Sequence, residues 1–167
     1  MERRIKGKVH KYGDNVNTDV IFPGRYTYKL MEPEEMAKHA MEDLDPEFPS
    51  KVKPGDVIVA GRNFGMGSSR EQAVLCLKYA GIAAIIAKSF ARIYFRNAIN
   101  SGLPVIQSPE AADALQEGDE VEIDFEAGKI RSSRGEFSFP PFTGKVLEIL
   151  EAGGLIPYIK KKIKKEE

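Results

Sequence analysis

The stretch from Val57 to Ile106 constrains the fold most, because short apolar runs alternate there with helix-like segments. Val57 to Ala60 (VIVA) lies between the KPGD turn at Lys53 to Asp56 and a glycine-rich loop, and so reads as a buried strand. A helix is expected from Arg70 to about Tyr79, stopped by Gly81, and an apolar β-rich segment follows at Ile82 to Ala87. A second helix from Ser89 to about Ser101 then leads into a buried strand at Leu103 to Ile106. Parallel strands need crossover connections, so this alternation predicts a parallel βα layer within an α/β protein.

The flanks read differently. Lys6 to Tyr12 is expected to form a strand, and the Asp- and Asn-rich stretch Gly13 to Asp19 to turn and continue as loop through Pro23 and Gly24. Pro33 is predicted to open a helix that ends near Leu44, with Glu34 and Glu35 at its positive end. After Gly118 and Asp119 the apolar period becomes two, Val121, Ile123 and Phe125 alternating with acidic residues. That pattern predicts half-buried antiparallel strands, with a further one near Ile130. A helix from Thr143 or Gly144, broken at Gly153 and Gly154, precedes a basic helical tail from about residue 155. A chain of 167 residues normally makes one core, so residues 1–167 are expected to form one domain.

Lys and Arg number 25, as do Asp and Glu, so no global field draws in nucleic acid and an anionic ligand must be held locally. No apolar run approaches the roughly 20 residues that span a bilayer. Met1 to Lys8 is charged rather than signal-like, and a cytoplasmic protein is expected. The one cysteine, Cys76, excludes an internal disulfide and any zinc or iron–sulfur site built from several thiolates of this chain. Its position within a helix suits the core.

Gly65 to Glu71 (GMGSSRE) lies between a predicted strand and a predicted helix. Glycines let backbone approach a ligand closely, and helix-start N–H groups suit a carboxylate or phosphate. The nucleotide patterns are not completed, since no Lys follows the last glycine. Ser68 and Glu71 also match a capping box, which needs no ligand. A cap does not call for Arg70, which opposes the helix dipole and is better explained by a bound carboxylate. Arg92, Arg96 and Asn100 recur every four residues as a polar stripe that reads as solvated or subunit-facing. His10 and His39 lack a ligand pattern.

The GSSRE motif at 67 to 71, AGRNFGMG from Ala60, AKSFARIYFRNAINSGLP from Ala87 to Pro104 and NTDVIFPGRY from Asn17 to Tyr26 together resemble the small subunits of isopropylmalate dehydratase and homoaconitase. These subunits match the last, mobile domain of aconitase, and the resemblance spans nearly the whole chain. It implies a swivelling β/β/α domain and a hydro-lyase reaction that moves a hydroxyl between adjacent carbons of a di- or tricarboxylate. By motif, Ser68 resembles the catalytic base, Ser69 an adjacent donor and Arg70 the carboxylate clamp.

Asp19, beside Thr18, matches an aspartate lining that site, although the residue alone reads as an ordinary turn former. By the same resemblance, Tyr26, Thr27, Tyr28 and Lys29 match the loop by which that family separates substrates. Homoaconitases place an arginine where Tyr28 aligns, so isopropylmalate, in leucine biosynthesis, is expected ahead of homoaconitate, citramalate or dimethylmalate. Lys29 is an alternative cation. The resemblance implies no cofactor in this chain and a [4Fe-4S] cluster in a large partner subunit. A non-enzymatic anion-binding module is the competing expectation.

Overall fold

The computed structural model describes residues 2–166. Its first strand, β1 (Arg4–Lys11), carries two partners in succession. Arg4 to Lys8 pairs antiparallel with β5 (Glu120–Asp124), and Val9 to Lys11 pairs parallel with β2 (Val57–Ala60). The sheet therefore changes sense at β1. On one side lie β2, β3 (Ala84–Ala87) and β4 (Val105–Gln107), all parallel; on the other lie β5, β6 (Lys129–Ser132) and β7 (Gly135–Ser138), all antiparallel. At Gly7, in β1, a Cβ would run into the Gly55 carbonyl, so the turn before β2 crosses β1 only where no side chain exists.

Both halves follow their residue patterns. In β2, Ile58 and Ala60 face one core cluster while Val57 and Val59 face the other, and β3 divides its residues in the same way. Strands covered on both faces need continuous apolar runs. The crossover helices α4 (Gln72–Ala80) and α5 (Arg92–Asn100) cover the first face through Val74, Leu77, Ala98 and Ile99. The short α6 (Pro109–Ala114) covers the second. In β5 only Val121 and Ile123 turn to the core, which is why its sequence alternates.

Several boundaries differ from expectation. The segment expected as loop holds a one-turn helix, α1 (Thr18–Ile21), whose Val20 N–H is capped by the Asn17 side chain at 3.0 Å. The Pro33 helix, α2 (Pro33–Lys38), stops well short of Leu44. Met41 adopts a left-handed φ of 60°, is fully buried and donates its N–H to Ile21 O, interactions a continuing helix would break. A short α3 (Phe48–Lys51) buries Phe48, and α6 and β7 were also not expected. The tail folds as α7 (Gly144–Ala152), a Gly153 cap and the basic α8 (Leu155–Glu166). No helix among the described residues is long and apolar enough to cross a membrane.

Asp56 fastens β1 to the start of β2. It is 5% exposed and accepts from the Lys8 and Lys53 amides at 3.0 Å and from His10 Nε2 at 2.7 Å. Burial would raise its carboxyl, but these donors outweigh burial and hold it below the ordinary range. A carboxyl depressed on folding stabilises above its unfolded value, about 3.9, and that contribution fades as pH falls through the lower folded value. Asp56→Ala should therefore cost about 3 kcal/mol in urea unfolding at pH 7, since it strands buried donors. The gap to wild type should narrow below roughly pH 4.

Candidate active site

Tyr94 organises the meeting of α4 and α5. Its ring occupies the space a Cβ on Gly65 would need, and Gly65 has φ 85°, so this loop position takes glycine for two reasons. The buried Tyr94 hydroxyl donates to Ala73 O at 2.8 Å, tying the first turn of α5 to the start of α4. Burial pushes that hydroxyl well above the ordinary tyrosine pKa. Backbone bonds from Gly65 N to Val16 O and from Thr18 N to Met66 O lay the glycine loop beside α1.

These elements line an open pocket of about 190 Å³ with Thr18, Ser68, Ser69, Arg70, Arg92, Tyr94 and Asn97, among others. Ser68 and Ser69 are exposed in the loop before α4. They do not cap it: the helix begins at Gln72, Glu71 precedes it in helical conformation, and no side chain bonds to its first turn. The capping-box reading is thus not realised. Asn97 Nδ2 reaches Ser69 Oγ at 3.4 Å.

Arg70 is the most constrained residue. Its side chain is only 10% exposed; Nη2 pairs with Asp19 Oδ1 at 2.6 Å and Nη1 donates to Thr27 Oγ1 at 3.1 Å. The buried Nε has no partner, and neither has Thr18 Oγ1, at 2% exposure of the residue. Buried donors left unpaired are costly, so both atoms point to a ligand or water. That Asp19 already sits on Nη2 makes the fork's competence for a carboxylate a matter of observed geometry.

The loop after α1 is divided. Thr27 touches Arg70 through its hydroxyl and receives Gln72 Nε2 on its carbonyl at 3.3 Å. The Tyr26 ring packs 4.3 Å from His39, while Lys29 Nζ lies 5.4 Å above that same ring. Tyr28 is 99% exposed. Of the polar stripe on α5, Arg92 lines the cavity and Arg96 and Asn100 do not. Sequence spacing could not select Arg92, since all three share a face; its place at the first turn, beside the loop, was the available signal.

The donor set does not suit an iron–sulfur cluster. No group of three or more His, Cys, Asp or Glu among the described residues could hold a metal ion. Cys76 is fully buried, with Sγ 3.6 Å from Ile21 O, and burial pushes its thiol far up. A thiolate ligand must be deprotonated and reachable, and this one is neither.

A profile of the aconitase C-terminal domain matches residues 4–111. The chain belongs to that family. This aconitase-type domain is 53% identical over 166 residues, 98% of each chain, to the 3-isopropylmalate dehydratase small subunit of Thermodesulfovibrio yellowstonii. It is also 53% identical over 168 residues, again 98% of each, to the isopropylmalate/citramalate isomerase small subunit of Methanocaldococcus jannaschii. The crystal structure of 3-isopropylmalate dehydratase from the latter organism superposes with TM-score 0.92 at 50% identity, covering 98% of this chain and 97% of that one. The α/β architecture is thus the swivelling aconitase-type fold.

The inertness of Cys76 can be checked directly. A colorimetric thiol reagent should find no reactive sulfur in the native protein and one per chain in denaturant; rapid native labelling would contradict the buried placement.

Proposed function

We propose that this chain is the small subunit of a hydro-lyase interconverting 2-isopropylmalate and 3-isopropylmalate through 2-isopropylmaleate, a step of leucine biosynthesis. The observation that carries the reading is Arg70, nine-tenths buried in a cavity wall beside Ser68 and already holding a carboxylate. The end-to-end likeness to subunits bearing that activity's name supports the substrate class. Residues 1–167 are taken as one domain working in the cytoplasm.

In this reading Arg70 orients one substrate carboxylate with a planar fork that a lysine lacks. Ser68 takes and returns the proton beside that carboxylate, acting as an alkoxide. Ser69 is a neighbouring donor, steadied by Asn97. Asp19 and Thr18 line the site, Asp19 keeping Arg70 extended before substrate arrives. A [4Fe-4S] cluster held by a large partner subunit would supply the Lewis acid for the departing hydroxide; the buried Cys76 of this chain could not hold one.

Ser68→Ala in the reconstituted complex should lower turnover by about 100-fold or more while leaving the fold intact, as loss of a proton-transfer group does. Near-wild-type turnover would reduce Ser68 to a loop residue. Arg70→Lys should lower kcat/KM strongly, its charge kept but its fork lost. A homogeneous chain that never co-purifies with an iron-bearing subunit and shows no hydration of isopropylmaleate with one would favour the anion-binding module instead.

In this reading substrate choice turns on Tyr28, which is fully exposed in this domain and would meet the substrate's side chain only when a partner covers the loop. A distal carboxylate buried without a cation loses hydration and gains no partner, several kcal/mol of penalty, whereas an isopropyl group gains by burial against an aromatic ring. The wild-type complex should thus prefer isopropylmalate or citramalate to homoaconitate, and Tyr28→Arg should shift the ratio of kcat/KM toward homoaconitate. Lys29→Ala should scarcely alter that preference, its ammonium being engaged over Tyr26. A native preference for homoaconitate that vanishes in Lys29→Ala would overturn the assignment.

A further inference from the structure

Thr27 stands where the loop after α1 meets the arginine of the pocket, and its hydroxyl has only one part to play there. Thr27 Oγ1 donates to Gly24 O at 2.7 Å, and a hydroxyl has a single hydrogen, so toward Arg70 it is an acceptor alone. Arg70 Nη1, which can only donate, fills that place at 3.1 Å. A hydroxyl polarised by its own donated bond accepts more strongly, and a bond from a charged donor is among the strong ones. From the other side Gln72, the first residue of α4, donates Nε2 to Thr27 O at 3.3 Å. One loop residue is thus gripped by Arg70 through its side chain and by the start of α4 through its backbone.

Its neighbours do not share this part. Tyr28 and Leu30 project wholly into solvent, Lys29 lies over the Tyr26 ring, and Arg25 pairs with Glu42 and Asp43. Among the described residues, Thr27 and Asp19 are the hydrogen-bond partners of the Arg70 guanidinium, on Nη1 and Nη2 respectively. The orphan is Nε, on the edge that it shares with Nη2. Asp19 is exposed on that edge and exchanges readily, whereas Thr27 holds the nitrogen outside it. Fixing Nη1 stops the guanidinium from turning, so the edge with Nε and Nη2 stays presented as a two-point seat for a carboxylate. Gly24 leaves room for the arrangement, since a Cβ there would come within 3.2 Å of Asp19 Oδ1 and 3.5 Å of Arg70 Nη1.

We propose that Thr27 is a positioning residue for the Arg70 clamp, its Gly24-polarised hydroxyl holding Nη1 while Gln72 holds its carbonyl. This rests on the reading of Arg70 as the clamp for a substrate carboxylate. Thr27 acts through Arg70 and touches neither the substrate nor the reacting atoms. The same bond makes the orientation of the clamp depend on the loop that carries Tyr28 and Lys29.

The test uses the reconstituted two-subunit enzyme with isopropylmalate. Thr27→Val keeps the shape and removes the acceptor; it should raise KM about tenfold, the ordinary yield of a hydrogen bond to a charged group, with kcat changed much less. Thr27→Ser, which restores the hydroxyl, should bring KM back to within about threefold of wild type. In an Arg70→Lys background, which has no Nη1 to hold, Thr27→Val should add less than about twofold, because residues acting through one bond are not additive. Should the valine variant not fold, Thr27→Ala carries the same expectations. An unchanged KM in Thr27→Val, an equal loss in both backgrounds, or a serine variant as poor as valine would each overturn the positioning role and leave the clamp standing. If the wild-type complex has no turnover, the clamp reading fails, and nitrogen-15 spectra of the full chain decide the positioning alone. Separate Nη1 and Nη2 signals of a slowly rotating Arg70 in wild type and Thr27→Ser, averaged in Thr27→Val, support it; averaged signals in wild type, or separate ones surviving in Thr27→Val, overturn it.

Discussion

The contact between Tyr94 and Gly65 is the constraint on which the site depends. A tyrosine ring placed where any other residue at 65 would carry its Cβ brings the glycine loop down onto α5, and the hydroxyl then secures α4 through Ala73 O. The loop and α4 come from one βα crossover of a parallel half-sheet and α5 from the next, and its strands leave such loops at their carboxyl ends. The scaffold places the loops near one another, and Tyr94 sets their spacing. Polar groups that would be solvated in an ordinary loop are thereby held around one small volume.

That volume is electrostatically unbalanced by construction. Arg70 is taken out of water along most of its length, and its one carboxylate, Asp19, belongs to an exposed side chain on α1. An exposed partner in an ion pair contributes little stability and exchanges readily. Asp19 can therefore order Arg70 without competing strongly against a ligand that also satisfies Nε. The unpaired Thr18 hydroxyl and Arg70 Nε carry the cost of holding the site ready for its ligand, which is the usual place for a protein to leave polar groups unsatisfied.

Much of this was legible in the residues. VIVA, AIIA and the segment before Gln107 are continuous apolar runs because both faces of β2, β3 and β4 are covered, and periodicity alone finds them. The alternation at Val121 and Ile123 found β5 for the converse reason. α6 went unread although Ser108 and Pro109 signal it, the serine accepting from the Ala111 N–H at 3.3 Å, because six residues are too few for an apolar stripe. α2 was read too long because Met41 looked helical by period, while its backbone is set by a tertiary bond to Ile21. The motif brought Ser68, Ser69, Arg70 and Asp19 into view, but not Arg92. Arg92 differs from Arg96 only in standing beside a loop, and sequence does not record which helix end points at which cavity.

A chemical argument also bears on what this chain leaves undone. Proton transfer beside a carboxylate gains from excluding water, since electrostatic stabilisation strengthens as the local dielectric falls. Here Ser68 and Ser69 stand exposed, Ile93 at the rim is 53% exposed, and Tyr28 and Leu30 project fully into solvent from the loop that braces Arg70. Two wholly exposed large apolar side chains in neighbouring loop positions have no role in this domain's own core. The domain presents the cations, the first turn of α5 and the serine, but not the closure that the proposed chemistry requires. Closure by a second surface would bury Tyr28 and Leu30 in the same movement that dries the cavity, coupling apolar burial in the loop beside the site to stronger electrostatics within it.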